Sequence, residues 1–231
     1  MTSLAIIVPV LDEADGIVAA LNALQPFRQR GAETIVVDGG SRDDTIALAR
    51  LLADQVISAP RGRASQMNAG ARATAADLLL FLHADCTLPP RADDLVRDGV
   101  GAGPRQWGRF DIRIAGRHRL LGMVGAMMNW RSQLTGIATG DQAIFMTRNA
   151  FTQVGGFPEL PLMEDIAMSK LLRRLSRPLC LAGPVIASGR RWERGGVLRT
   201  MLLMWRLRLA YFLGAEPARL ARRYGYGPRD G

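Results

Sequence analysis

The chain is expected to form a parallel, doubly wound α/β sheet, on three observations. Short apolar runs alternate with segments of helical spacing through the first hundred residues, each run ends at Gly, Pro or Asp, and polar residues of useful chemistry gather at those ends. The first run, LAIIVPV at 4–10, is apolar at consecutive positions, which means burial on both faces. Helical spacing follows over 14–24. A second run, TIVVDGG at 34–40, precedes a helix over 43–53 for which Asp43 or Asp44 is a cap. DQVISAP at 54–60 is the third run, a helix is expected over 63–75, and DLLLFLHAD at 77–85 is the fourth run.

Ligands of such sheets sit beyond the carboxyl ends of the strands. Asp12 and Glu13 follow the first strand, Asp38 ends the second, Arg61 and Arg63 follow the third, and His83 and Asp85 end the fourth. The stretch VPVLDEADG, where an apolar run meets a proline and then Asp12, Glu13 and Asp15, is what a strand opening onto a ligand requires. The first strand is followed by Leu-Asp-Glu with no G-x-G-x-x-G, which disfavours a dinucleotide site.

After Pro104 the pattern changes. A strand pair is expected around WGRFDIRIAG (107–116), followed by the apolar stretch RLLGMVGAMMNW (119–130). In that stretch Gly122, Gly125, Ala126 and Asn129 form a small-residue side that permits close helix approach. Further on, Ala167, Met168, Leu171, Leu172 and Leu175 make one apolar helical face, so Glu164 and Asp165 fall on that helix's first turn. Residues 197–213 carry two apolar faces. Leu198, Leu202, Trp205, Leu209 and Phe212 form one, Leu203, Met204, Leu207 and Tyr211 the other, with Arg199, Arg206 and Arg208 between them. One face can pack on the sheet; the other needs a second copy of the chain, the 119–130 segment or a bilayer surface.

With 231 residues, 48% hydrophobic and 22% charged, the chain reads as one globular domain. Thirty Lys+Arg against 21 Asp+Glu give a net charge of +9, which suggests an anionic partner. Most of the basic residues are arginines, suited to bidentate contacts with phosphate or carboxylate. Nucleic acid is not expected, for there is no zinc-finger spacing, basic zipper or stacking-aromatic signature. Cys86 and Cys180 form no C-x-x-C pair, so a reducing compartment is the simpler one. No basic leader precedes the first apolar run, and no run approaches a membrane span of about 18 residues. A cytoplasmic protein is expected, with the inner face of the membrane as the alternative place.

Seven segments occur in an order that resembles glycosyltransferase family 2, whose members have the GT-A fold: IIVPVLDE, VVDGGSRDDT, GRASQMNAGA, LLFLHADCTLPP, GDQAIFM, GGFPELPLMEDIAMSKLLRR and SGRRWERGGVLRT. The resemblance runs essentially end to end and implies one GT-A domain over 1–231. A mainly parallel central sheet with helices on both faces would be followed by a helical C-terminal part, with 1–103 the nucleotide-sugar half and 104–231 the acceptor and catalytic-base half. His-Ala-Asp and Gly-Asp-Gln make the chain most similar to a small bacterial branch linked by gene context to arsenosugar biosynthesis.

The resemblance also implies roles. Pro9, Leu11 and Glu13 would meet the nucleotide base, Asp38 its pyrimidine edge, and Ala84 the nucleotide. Arg63, Gln66 and Asn68 would face the nucleotide from the start of a helix, where N–H groups and a guanidinium favour phosphate. Asp85 is the expected ligand of Mg2+ or Mn2+, ions that take few protein oxygens and leave the rest to phosphate and water. His83 departs from the family's Asp-x-Asp and cannot supply the same negative charge, so weaker metal affinity with some preference for manganese is expected. Its contact with metal or with ribose stays open. Asp165 matches the catalytic base and Glu164 its neighbour. Gly140, Asp141 and Gln142 would line the acceptor pocket, while Arg190 or Arg191 would meet the diphosphate and Trp192 wall the acceptor side. SGRRW lacks the upstream glutamine of polysaccharide synthases, so a single transfer is expected rather than polymerisation. The expected activity is therefore an inverting, metal-dependent transfer from a nucleotide diphosphate sugar, a UDP-sugar first, to an unknown hydroxyl acceptor. The alternatives are a nucleotidyltransferase, disfavoured by the acidic loop LDEADG, and a non-catalytic nucleotide-sugar-binding protein.

Overall fold

In a computed structural model of the chain, residues 2–100 and 104–225 are described. The division expected at residue 103 lies outside the described residues. The first strand, β1 (Leu4–Val10), pairs in parallel with β2 (Ala32–Asp38) on one side and β4 (Leu78–Phe81) on the other. β3 (Gln55–Ser58) extends the sheet in parallel beyond β2. The connecting helices are α1 (Ala14–Gln29), α2 (Thr45–Ala49) and α3 (Arg63–Arg72). β1 shows why its sequence is apolar throughout. Leu4, Ile6, Val8 and Val10 pack with Ile17, Leu21 and Leu24 of α1, whereas Ala5 and Ile7 pack with Ala64, Met67 and Ala71 of α3 on the opposite face.

The second half mixes strand directions. β7 (Phe145–Thr147) lies antiparallel between β4 and β6 (Trp107–Ala115); β8 (Leu179–Ser188) runs parallel to β6, and β5 (Cys86–Thr87) closes that edge antiparallel to β8. The strand order is β3-β2-β1-β4-β7-β6-β8-β5. The strand pair expected at 107–116 is instead one strand with an irregularity, a register shift between Phe110 and Ile112 that leaves Asp111 out of the ladder. Asn129, on α5 (Leu120–Thr135), repairs the gap: its amide accepts from the Ile112 N–H at 2.8 Å and donates to the Ile112 carbonyl at 3.0 Å. Gly125 lets α5 come this close, since a Cβ there would stand 3.2 Å from the Ile112 carbonyl oxygen.

The remaining helices are α4 (Ala92–Val100), α6 (Arg148–Gln153), α7 (Glu164–Leu172), α8 (Arg190–Gly195), α9 (Val197–Phe212) and α10 (Pro217–Tyr224). Leu207 of α9, with Leu203 and Tyr211, enters a third core shared with Leu162, Met163, Ile166 and Leu220. The other face of α9 stays uncovered: Leu198, Leu202, Trp205, Leu209 and Phe212 are 49–61% exposed. Neither the sheet nor α5 covers that face. Among the described residues no helix is long and apolar enough to cross a membrane.

Gly70 sets how closely α3 lies on the sheet. A Cβ there would fall 2.5 Å from Ile7 Cγ2 and 2.9 Å from Val37 Cγ2, both β-branched and fixed in central strands. Gly→Ala in a helix gains about 1 kcal/mol, while overpacking a core costs about 1–3 kcal/mol. Gly70→Ala is expected to lose stability by about 1 kcal/mol, read as a lower urea midpoint at unchanged slope; a raised midpoint would show that the sheet yields.

Candidate active site

The chain leaves β1 through Leu11, Asp12 and Glu13. Asp12 is left-handed, at φ 52°, which turns its N–H onto Ser41 Oγ at 2.9 Å and its carboxylate onto the Arg42 N–H at 2.9 Å. Asp43 accepts from the N–H groups of Ala14 and Thr45, each at 3.0 Å, and the Glu13 N–H donates to Thr45 Oγ1 at 2.8 Å. Asp12 and Asp43 therefore stitch the β1–α1 turn to the β2–α2 turn. Glu13 is the acid of this loop that lines the cleft. Burial, then the charge of Asp85, raises its pKa above the ordinary carboxylate value.

Beyond β4 come Leu82, His83, Ala84 and Asp85. His83 is buried, and its Nδ1 lies 2.9 Å from Asp141 Oδ1. The imidazole rests on Gly140, where a Cβ would stand 2.4 Å from Cε1 and 2.5 Å from Nε2. Ligand atoms of His83, Asp85 and Cys86 lie within 4.8 Å of one another, compact enough for a cation. Their chemistry narrows the donor set. Burial, followed by the charges of Asp141 and Asp85, pushes the Cys86 thiol well up, so it stays protonated with its sulfur 3.5 Å from Asp85 Oδ1. His83 Nδ1 is engaged by Asp141, which leaves Nε2 as its one remaining ring nitrogen. The exposed carboxylate of Asp85 is the oxygen donor of the three and fits a hard divalent ion.

The opposite wall is built by α7 and a 3-10 turn at Gly140–Gln142. Asp165 Oδ2 accepts from the Gly140 N–H at 2.9 Å and Oδ1 from the Ile166 N–H at 2.7 Å. Its neighbour Glu164 is 5% exposed, and burial first, then the charge of Asp165, raises its pKa to about 7. Glu164 therefore holds a proton near neutrality. Burial also pushes Asp141 up, but the His83 hydrogen bond and charge, with Arg63 and Arg191, prevail and hold it at about 2.

These groups share a cleft of about 670 Å³ beyond the carboxyl ends of β1 and β4. β1 and its loop contribute Pro9, Leu11 and Glu13, α3 contributes Arg63 and Gln66, and the β4 loop contributes Ala84 and Asp85. Across from them stand Gly140, Asp141, Glu164 and Asp165, and α8 adds Arg191 and Trp192. Gln66 also donates to the carbonyls of Val10 and Val37, each at 2.8 Å, joining the ends of β1 and β2. Four other expected site residues are not in the wall. The Asp38 carboxylate accepts from the N–H groups of Gly40 and Ser41 at 2.8 and 3.1 Å. Asn68 clamps the Phe157 backbone through two hydrogen bonds of 2.8 and 2.9 Å. Gln142 is buried against Thr139 and Asn129, and Arg190 turns to Ser188 Oγ at 3.2 Å.

The C-terminal helices close the cleft with residues that sequence reasoning did not assign. Arg208 comes from α9 and Arg222 and Tyr224 from α10. Arg191 stacks on the Tyr224 ring, 4.6 Å from its centroid, and donates to the Tyr224 hydroxyl, joining α8 to α10. The polar stripe between the two apolar faces of α9 is the signal that could have found Arg208; Tyr224 carries none.

The family model described as Glycosyl transferase family 2 matches residues 5–147. No curated protein matches the chain. Among solved structures, glucosyl-3-phosphoglycerate synthase from Mycobacterium tuberculosis with Mn2+, UDP and glucosyl-3-phosphoglycerate is 18% identical, with a TM-score of 0.62 over 79% of this chain and 70% of that one. The mannosyltransferase PcManGT from Pyrobaculum calidifontis, in complex with GDP-Man and Mn2+, is 23% identical, with a TM-score of 0.64 over 90% of this chain. S. aureus TarS 1-349 in complex with UDP is 17% identical, with a TM-score of 0.65 over 80% of this chain. The chain spans 60% of each of the last two. At these identities the likeness is one of fold.

Glu164 makes stability depend on pH with a definite sign. Its folded pKa is raised from 4.5 to about 7, so the native state keeps a proton that the unfolded chain has released. The burden is absent below about 4.5 and complete above about 7, a difference of about 3 kcal/mol. The melting temperature is expected to fall between pH 5 and pH 8, and Glu164→Gln to flatten that fall. Equal slopes in both proteins, measured by scanning calorimetry across this range, would remove Glu164 as the cause.

Proposed function

The chain belongs to glycosyltransferase family 2, and from that premise we propose that it is an inverting, metal-dependent enzyme moving one sugar from a nucleotide diphosphate donor to a hydroxyl acceptor. The observation that carries this is the meeting of Glu13 and Asp85, from the strand ends, with Asp165, from the first turn of α7, in one cleft. Residues up to 103 supply the donor side and those from 104 onward the acceptor side and base. UDP is the preferred nucleotide; the relatives above hold UDP or GDP-Man, two of the three with Mn2+.

Each group has a task its surroundings suit. Arg63, at the start of α3, meets the diphosphate with a guanidinium and the helix N–H groups together. Mg2+ or Mn2+ held by Asp85 would neutralise charge growing on the leaving diphosphate. Asp165 takes the proton from the incoming hydroxyl. Two N–H groups fix the direction of its carboxylate at the first turn of α7. Gly140 and Asp141 border the acceptor, Trp192 walls it, and His83 acts by holding Asp141. The resemblance to the branch linked with arsenosugar biosynthesis adds an association of pathway, to which the site residues add nothing.

Asp165→Asn keeps the shape and an acceptor oxygen but cannot take a proton. General-base help is worth about a hundred- to ten-thousand-fold, so sugar release from a UDP-sugar panel with Mn2+ is expected to fall to about 1% or less, while UDP still raises the melting temperature. Turnover near wild type in a folded variant would sink the assignment.

The uncovered face of α9 is where we infer docking on an anionic membrane surface. Its five large apolar side chains are accompanied by exposed Met123, Met127, Trp130 and Leu134 of α5 and flanked by Arg199 and Arg206. A net charge of +9 favours acidic lipid and opposes pairing of two copies through this face. The protein is expected to sediment with phosphatidylglycerol vesicles but not with phosphatidylcholine vesicles, and Trp205→Ser with Phe212→Ser to release it. A stable dimer in ultracentrifugation without vesicles, or sedimentation unchanged in the double variant, would overturn this.

A further inference from the structure

Three arginines, on β6, α5 and α9, are gathered on the acceptor side, and they differ in how their charges are matched. Arg109 of β6 is fully buried and its Nε has no partner, but its charge is matched: it ion-pairs with Asp111 and donates to the Asn129 carbonyl at 3.3 Å. Arg131 of α5 and Arg208 of α9 are not served in this way. Nε and Nη2 of Arg131 and Nε of Arg208 are buried without any hydrogen-bond partner. Burial, then the neighbouring charge of Arg208, lowers the Arg131 pKa to about 10, with Asp165 acting in the opposite sense. Arg208 thus opens on the same cleft as Asp165, and behind it Arg131, with unused donors, feels the charges of both.

Such an arrangement is unfavourable by itself. A buried donor without a partner costs about 1–3 kcal/mol, and like charges in a poorly solvated place repel. An oxyanion between them would accept from several nitrogens and cancel the repulsion, and a guanidinium fork matches carboxylate and phosphate in shape. The diphosphate of the donor has other cationic partners on the β1–β4 side, Arg63 and the ion at Asp85. We propose that Arg131 and Arg208 form an oxyanion pocket beside Asp165 that anchors a phosphate or carboxylate group on the acceptor. Naming the ligand as the acceptor rests on the glycosyltransferase reading; the anion pocket itself does not.

The test titrates inorganic phosphate, and separately acetate, into the protein saturated with UDP and Mn2+ so that the donor site is filled. At least one of the two is expected to raise the melting temperature saturably, with phosphate or acetate identifying the class. Arg208→Gln is expected to weaken that response at least tenfold. Arg131→Gln is expected to melt above wild type in anion-free buffer and to lose the response, because it removes an unpaired charge. No response from wild type to either anion, an unchanged response in Arg208→Gln, or loss of UDP affinity in parallel with the anion response would overturn the proposal. So would an Arg131→Gln protein that melts lower yet still binds the anion. Should wild type bind no nucleotide, the donor reading fails, and the same titration on the free protein still decides the pocket.

Discussion

The three-residue turn at Gly140–Gln142 is the constraint on which the site depends. Its first N–H fixes Asp165, its second residue holds His83, and its third is buried against Asn129, which mends the irregularity in β6. The end of β4, the start of α7 and the middle of β6 are thus tied to a single peptide segment. Glycine at 140 makes this possible, because the buried imidazole of His83 occupies the volume that any side chain there would need. A displacement of this turn would move the His83 side and the Asp165 side of the cleft together. That coupling suits a reaction whose two partners must keep their separation.

The acids of the chain divide into those that build and those that act, and hydrogen bonding separates them. Asp12, Asp38 and Asp43 each accept from backbone N–H groups of neighbouring turns, which satisfies donors that would otherwise be orphaned near strand ends and helix starts. Glu13 and Asp85 line the cleft instead, each adding to the negative field the other feels. Such mutual repulsion is unfavourable in the empty cleft and is relieved by a cation. The arginines across the cleft show the same logic with opposite sign, since their unused donors are relieved by an anion. A site built from two unfavourable concentrations of charge is complementary to a bound metal, diphosphate and oxyanion rather than to water.

The first half of the fold was legible because burial on both faces leaves a continuous apolar run in β1, β2 and β4, and the half-exposed edge strand β3 stands where the third run does. The second half was harder for a physical reason. β5 and β7 are two and three residues long, too short for a periodicity, and β6 finds its partner β8 only after α5, α6 and α7 have intervened. The strand pair expected around 107–116 is a single strand whose register breaks at Asp111. In the site, Glu164 and Asp165 could be placed because helical spacing locates a first turn. Asp38 and Asn68 were harder, since their partners are backbone groups of Gly40, Ser41 and Phe157, which no side-chain pattern reveals. Arg131 and Arg208 come together only through the packing of α5 and α9.

Backbone strain around the cleft bears on how the site works. Asp12, Ala143 and Met163 are non-glycine residues with φ of 52°, 45° and 70°, and each borders a segment that carries site residues. Left-handed backbone costs such residues about 1–2 kcal/mol each, so the surroundings must fix them. They do: Asp12 is pinned by Ser41 and Arg42, Ala143 is buried in the core beside Phe145, and Met163 is buried with Leu162, Ile166 and Leu207 in the core under α9 and α10. The C-terminal helices therefore do more than close the cleft. By burying Met163 they hold the residue that starts α7, and with it the direction of Asp165. A ligand or surface that shifts α9 would act on Asp165 through Met163, a connection made of packed side chains rather than charge.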